Sequence, residues 1–478
     1  MTAAKTSGSL SVANRTSYQP GPMPVIVGNA VLLTALAAAA CDPAEPSTTT
    51  AFVGATVVVG QDLEPIEGAN IVVDDGRIVC VDTPERCPAE GAGQTIDARG
   101  KWIIPGLFDN HTHVAEYSYM PWAPLFLAHG ITSLRDVGAR TDSSLALRGR
   151  WQEEPLGPNL FIAGHPIDGD PPNWPDAFPD VPLIVRTPEE ARDAVRRAKA
   201  EGVDFIKLYN ALTPEALVAA TEEAHALGLK VTADLWGWNA PTSVALEAGI
   251  DGLEHYVGEQ LDFDLGTDDR PRLLWGVEDE KLGALLDELV EGQVVLTATW
   301  ETLQYEGGSF PDHKPTYRAL PATLQEISRG WWDDWQKSPD NSEAQIAFWR
   351  TGFMEQGCRT VLELQRRGGK VAVGTDAFWY VAYPGDIHDE MSRLQDCGLT
   401  PREALATATT TPAAWLEVDS LGVIQAGAVA DFVVLLADPL DNIDNTRRID
   451  LVVRRGVTLG PDSLLVEAKR YEPPPADQ

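Results

Sequence analysis

Two histidines separated by one residue, in Pro105-Gly106-Leu107-Phe108-Asp109-Asn110-His111-Thr112-His113, carry the most legible chemistry in this chain. Side chains alternate along an extended segment, so His111 and His113 point the same way. Two imidazoles on one face at the end of an apolar run suit a divalent metal ion. A bare His-x-His pair is weak, because such pairs are often exposed polar residues; its place after a buried-strand pattern is what favours a metal site. Four more polar groups sit in corresponding places behind later apolar runs. They are Lys207 in Phe-Ile-Lys-Leu-Tyr, Asp234 in Val-Thr-Ala-Asp-Leu, His255 in Leu-Glu-His-Tyr and Asp376 in Val-Gly-Thr-Asp-Ala. Each is costly to bury without a partner. One shared metal centre relieves all of them together, whereas the competing reading needs four unrelated structural polar groups at strand ends.

The elements that must position these residues follow from the pattern around them. Apolar strand-like runs are expected at 103–108, 131–135, 160–163, 205–208, 230–233, 252–253, 294–298 and 370–373, alternating with helical stretches such as 188–201 and 214–227. Buried strands separated by helices call for parallel pairing through right-handed crossovers. Eight such units close most simply into a (β/α)8 TIM barrel, an α/β fold. An open doubly wound sheet is the competing arrangement, but no Gly-rich phosphate loop follows the first strand.

Both chain ends read differently. Short β-branched runs at 55–59 and 69–73, an Asp75-Gly76 hairpin signal, and further runs at 430–435 and 451–456 suggest one small β-sandwich domain built from both ends. Two separate sheets are the alternative. The expected organisation is a leader and linker over 1–50, β-sandwich over 51–103, barrel over 104–416 and the second part of the sandwich over 417–470. A tryptophan-rich insertion at 303–349 breaks the rhythm after the seventh strand, as a lid or an oligomer contact would.

Composition sets the outer limits. The chain has 478 residues, 44% of them apolar, enough for one large domain with a small companion. Its 37 basic and 71 acidic residues leave a formal charge of −34, which repels nucleic acid and anionic lipid and makes neither an expected partner. Five cysteines are too few for a disulfide scaffold, although Cys80 and Cys87 are close enough to bridge in an oxidising compartment. Residues 23–40 form an uncharged run rich in Ala and Leu, ahead of Cys41. Its small-residue end suits a signal segment. Ala38-Ala39-Ala40-Cys41 resembles the lipobox of bacterial lipoproteins, which implies export and a lipid anchor at Cys41. A plain cleaved signal peptide and an N-terminal anchor are the other readings.

Taken together, these segments resemble the amidohydrolase superfamily, and within it the imidazolonepropionase and prolidase-like branch. The resemblance runs from about residue 52 to 458 and includes Gly130-Ile131-Thr132-Ser133-Leu134-Arg135-Asp136, Gly398-Leu399-Thr400-Pro401, Gly422-Val423-Ile424 and Ala430-Asp431. It implies that His111, His113 and Asp376 bind one metal, normally zinc. It also implies that Lys207 is carboxylated and bridges to a second metal held in part by His255. The fifth strand of that family usually offers a histidine where this chain has Asp234, an acceptable oxygen ligand for zinc or manganese but a shorter one. The alternative for Lys207 is a salt bridge to Asp234 or Asp376.

Among weaker candidates, Tyr209 shares the face of Lys207, and Tyr209 and His165 are the expected substrate contacts. Trp236, Trp238 and Trp300 follow strand ends and either line a pocket or pack the core. His129, His225 and His388 lie in helical stretches and read as structural, and His313 in the insertion says nothing. The function expected is hydrolysis of an amide bond of a small molecule, a dipeptide or N-acyl amino acid. A metal-bound hydroxide would attack, with Asp376 as general base and two zinc ions (manganese as the alternative) as cofactors. The reading from a different class is a non-catalytic metal- or ligand-binding lipoprotein with a degenerate site.

Overall fold

In the N-terminal part, strand β1 (Thr50–Val59) is a nearly unbroken run of β-branched and small apolar residues. It pairs antiparallel with β2 (Glu64–Asp74), which turns through Asp75-Gly76 into β3 (Arg77–Asp82). Asp75 and Gly76 have φ of 46° and 71°, the left-handed pair that a tight two-residue hairpin requires. Short β4 (Gln94–Asp97) and β5 (Trp102–Pro105) both run parallel to β1.

The computed structural model describes residues 49–117, 120–153, 157–172, 179–235, 239–255, 279–300, 310, 314, 317–318, 320–336, 353–377 and 382–470. The expected leader with Cys41, Trp236, Trp238, His313 and most of the 303–349 insertion lie outside them. Among the described residues no helix is long and apolar enough to cross a membrane.

Parallel strands follow β5. Strands β6 (Leu107–Thr112), β7 (Ile131–Asp136) and β8 (Asn159–Ile162) form one sheet. Strands β9 (Ile167–Asp168), β10 (Leu183–Ile184), β11 (Phe205–Leu208), β12 (Lys230–Ala233), β13 (Gly252–Glu254), β14 (Val295–Ala298) and β15 (Lys370–Val373) form a second, in the order β10-β9-β11-β12-β13-β14-β15. From β11 to β15 each strand lies beside its predecessor, whereas an open doubly wound sheet reverses strand order midway. The Asp204 N–H donates to Ile162 O at 2.9 Å, linking β11 to β8. Beyond β15, the Asp376 N–H donates to His111 O at 2.8 Å, and Thr112 and Ala377 form a parallel bridge. The result is a TIM-barrel-like α/β arrangement of the expected strands, with β9 and β10 as an unexpected extra pair.

The connecting helices begin and end where their residues dictate. Pro188–Glu201 starts with the Thr187 side chain accepting from the Glu190 N–H, with Pro188 in the first turn, and stops at Gly202 with φ 89°. Ala191, Ala194, Val195 and Ala198 form its buried face. Pro214–Ala226 repeats the start with Thr213.

C-terminal strands β16 (Phe432–Leu435), β17 (Ile449–Arg454) and β18 (Val457–Leu459) return to the first sheet, where β16 pairs antiparallel with β5. Both chain ends therefore share one hydrogen-bonded sheet, ordered β18-β17-β16-β5-β1-β2-β3 with β4 on β1. Phe52 meets Phe432 edge-on in its core, with ring centroids 5.0 Å apart.

The seam between sheet and barrel corrects the expectation of a single strand over 103–108. Residues up to Pro105 pair with β16, while Leu107 onward pairs with β7. Gly106 makes the turn, donating its N–H to Asp431 O, and a Cβ there would stand 2.2 Å from Thr132 Oγ1. A continuous apolar run concealed this break because residues on both sides of Gly106 are buried, Ile104 and Leu107 in the same core. Cys80 is bridged to Cys87, and Cys358 to Cys397, the second pair not foreseen.

Candidate metal centre

Each candidate ligand leaves the chain at or just past the C-terminal end of a parallel strand. His111 lies in β6 and His113 one residue beyond it; Asp376 follows β15 by three positions. Gly374 lets the two segments meet, since a Cβ there would stand 2.5 Å from His111 Cβ. His111 Nε2 and His113 Nε2 approach Asp376 Oδ1 to 3.5 and 3.3 Å. One ligand atom from each of the three residues lies within 4.8 Å of the others. His111 Nε2 and Asp376 Oδ1 are buried without a hydrogen bond. Buried polar atoms left in that state are costly, and two imidazole nitrogens with a carboxylate oxygen form a donor set that a divalent cation satisfies. The residues fit a metal ion.

A second group adjoins the first. Lys207 in β11, Asp234 after β12 and His255 after β13 are all buried. Asp234 Oδ2 stands 3.3 Å from His255 Nε2 and 3.7 Å from Lys207 Nζ, while Lys207 Nζ and Asp234 Oδ1 are buried without a hydrogen bond. The rings of His111 and His255 are 4.3 Å apart, so the six residues expected from the sequence form one continuous constellation.

The electrostatics are those of a dry, crowded site. Burial, with the charges of His255 and Lys207, drives His111 down to about 3. Burial opposes ionisation of Asp376, but the imidazoles beside it, His113 first and then His111 and His255, outweigh it and hold the carboxyl at about 2. Asp234 is likewise held below the usual carboxylate range, burial being outweighed by His255 and Lys207. His255 is pushed up, because Asp234 and then Asp376 outweigh its burial.

Behind the candidate ligands lies a layer that the sequence did not disclose. His111 Nδ1 meets Glu254 Oε2 at 2.7 Å, His113 Nδ1 meets Gly138 O at 2.9 Å, and His255 Nδ1 meets Thr299 Oγ1 at 2.6 Å. Glu254 also accepts from Arg135 and Thr232, and Arg135 donates to Asn110 O at 2.7 Å. Asp109 takes the Thr375 N–H at 2.9 Å and its hydroxyl at 2.5 Å, tying β6 to the segment that carries Asp376. The available signal was a charged residue inside a short apolar strand, Leu253-Glu254-His255, directly beside a histidine with the more obvious metal chemistry.

Of the expected substrate contacts, Tyr209 lies beside the constellation, its ring centroid 5.8 Å from Lys207 Nζ. His165 makes its described contacts elsewhere, with Val181 O and Thr141 Oγ1. Trp300 is fully buried in the core. His388 packs on His129, and His225 Nε2 meets Asp251 at 2.9 Å, all three in the structural roles expected.

Imidazoles and carboxylates converging at the carboxyl ends of parallel strands form a candidate metal site where TIM-barrel-like enzymes carry their chemistry. The amidohydrolase family model matches residues 102–459, and the chain belongs to that family, hydrolases acting on carbon–nitrogen bonds of small molecules. An uncharacterised protein of Mycobacterium tuberculosis is 27% identical over 391 residues, covering 78% of this chain and 89% of its own. A 5-methylthioadenosine/S-adenosylhomocysteine deaminase of Bacillus thuringiensis is 38% identical over only 66 residues, 14% of this chain and 15% of its own. Among solved structures, a putative prolidase from Bifidobacterium longum has a TM-score of 0.64 at 26% identity, covering 88% of this chain and 98% of that one. A bottromycin amidohydrolase has a TM-score of 0.66 at 20% identity, covering 88% and 90%.

Proposed function

We propose that this protein hydrolyses the amide bond of a dipeptide or an N-acyl amino acid at a two-metal centre. The observation that carries the reading is the convergence of His111, His113 and Asp376, with His111 Nε2 and Asp376 Oδ1 buried and unsatisfied. These three would hold one ion. Asp234 and His255 would hold the second, with Lys207 contributing to the centre as a carbamate that Nζ would form with carbon dioxide, releasing a proton, and zinc or manganese as the metal. Bound there, the ions supply an acidified water and a Lewis acid for the amide carbonyl. The chain's own residues do the rest. The Asp376 carboxylate orients the attacking water, takes its proton and delivers it to the departing amine. His113, whose Nε2 lies 3.3 Å from Asp376 Oδ1, stands on the same side of that carboxylate as the bound ion would. Tyr209, beside Lys207, contacts substrate. His165 is kept as the second substrate contact, reached if substrate extends toward Val181.

The dipeptide reading draws on the solved relative named a putative prolidase. The architecture belonging to this reading is a closed eight-stranded barrel, with the sheet from both chain ends folded as a sandwich. Export with a lipid anchor at Cys41 remains part of it, supported by two disulfides, which persist in oxidising compartments. The decisive experiment screens amide substrates with zinc- and manganese-loaded protein and repeats the best of them with Asp376→Asn. Turnover should fall by about 100-fold or more with the fold unchanged. Equal turnover in the variant would refute the mechanism, and protein that retains no metal would refute the centre.

A further inference from the structure

Glu254 is fully buried and lies outside the proposed ligand set. Its two oxygens have separate duties. Oε1 accepts from Arg135 Nη2 and from the Thr232 hydroxyl, and Oε2 faces His111 Nδ1 at 2.7 Å. Arg135 cannot release Oε1 easily. Its Nε donates to Asn110 O and its Nη2 also reaches Thr297 Oγ1, at 3.3 Å. Its guanidinium carbon lies 4.6 Å from the Trp415 ring centroid and 5.3 Å from that of Phe205. A carboxylate anchored in this way has one free direction, toward His111.

An ionised carboxylate only accepts hydrogen bonds, so the His111 nitrogen facing it must carry the proton. A neutral imidazole protonated on Nδ1 presents a bare lone pair on Nε2, the atom that points at Asp376. We infer that Glu254 is a positioning residue that selects the His111 tautomer able to bind metal, with Arg135 locking the carboxylate in place. Glu254 and His255 are consecutive, so the end of β13 serves both halves of the centre. His255 meets Asp234 directly, and Glu254 acts through His111. The inference rests on the reading of His111 as a ligand.

Glu254→Gln isolates the effect because it preserves volume while adding two donors. Three donors converge on the site, from His111, Arg135 and Thr232, and an amide has only one oxygen to offer. Turning its nitrogen toward Arg135 would set donor against a buried cation. Turning it toward His111 costs less, because the imidazole can move its proton to Nε2 and accept at Nδ1 instead. The metal-facing nitrogen is then occupied by hydrogen.

The tautomer is read in metal-free protein by nitrogen-15 NMR of the labelled imidazoles, with His111 assigned by its loss in His111→Gln. Wild type should show Nδ1–H, and Glu254→Gln should show Nε2–H, together with a loss of zinc affinity of about 10- to 100-fold. Thr232→Val removes a donor but leaves the carboxylate acceptor-only. It should keep the wild-type tautomer. An Nε2–H tautomer in wild type overturns the inference even if Glu254→Gln does not fold. An unchanged tautomer in a folded Glu254→Gln also overturns it, as does Thr232→Val shifting the tautomer equally. Failure of wild type to bind zinc while the Nδ1–H tautomer is seen would overturn the metal reading instead.

Discussion

Asp431→Asn should cost about 3–5 kcal/mol of folding free energy, although it changes one atom far from the ligand set. Asp431 is almost fully buried where the sheet from the chain ends meets the barrel. Its oxygens receive Arg454 Nη1 at 3.0 and 2.8 Å, the Arg455 N–H at 2.6 Å and Asn159 Nδ2 at 2.9 Å. Asn159 opens β8, whereas Arg454 closes β17, so one carboxylate joins the two parts. An asparagine keeps one oxygen and turns a donor toward the contacts of the other. Asn159 cannot adapt by flipping, because its Oδ1 already accepts from Arg454 Nη2 at 2.9 Å. Two bonds to a charged group are lost, worth about 1.5–3 kcal/mol each, and Arg454 is left buried with an uncompensated charge. Chemical unfolding of wild type and variant at matched metal content measures the difference. A loss below about 1 kcal/mol would refute the view that this pair holds sheet and barrel together.

Three other outcomes are expected. Burial, then Arg447, holds His129 at about 4 and His388 well below the usual imidazole range, so the unfolded chain binds more protons and stability rises with pH. Falling from pH ~6.5 to ~4 should therefore cost about 3 kcal/mol through His129 alone; a His129→Gln curve with the same slope as wild type would contradict this. Cys358–Cys397 closes a separation of 39 residues, and Cys358→Ser should cost about 3–4 kcal/mol, read as a lower unfolding midpoint that reductant no longer shifts; equal midpoints for oxidised wild type and variant would count against it. Asp234→His should keep or raise the number of metal ions retained per chain after dialysis, whereas a fall in folded protein would assign Asp234 a structural role only.

Much of the candidate site was legible because the residues that converge there obey local rules. His111 and His113 share a face by strand alternation, and Lys207, Asp234, His255 and Asp376 each interrupt or follow an apolar run too short to be anything but a buried strand. Glu254 followed the same rule but was eclipsed by its neighbour, because its meaning depends on Arg135, 119 residues away, and only the folded arrangement of β7 and β13 brings them together. The Cys358–Cys397 bridge escaped for a similar reason, since it joins one helix to the end of another. The seam at Gly106 was hidden by burial on both sides, where hydropathy cannot tell one sheet from the next.

The backbone adds a constraint that no residue pattern discloses. His255 and Asp376 both adopt left-handed conformations, φ 56° and 58°, immediately or shortly after their strands end. Histidine and aspartate tolerate that region better than branched residues do, but a non-glycine residue there still carries strain of about 1–3 kcal/mol. Asp376 is held in it by its N–H to His111 O, and Gly374 clears the approach. Two such residues among the proposed ligands mean that the chain turns sharply as it leaves β13 and β15, which places their side chains beside Asp234 and His111. A relaxed, extended exit would carry each side chain onward along its strand. The fold thus maintains a locally unfavourable geometry at both positions, and glycine at 255 or 376 would relieve the strain only by removing a proposed ligand.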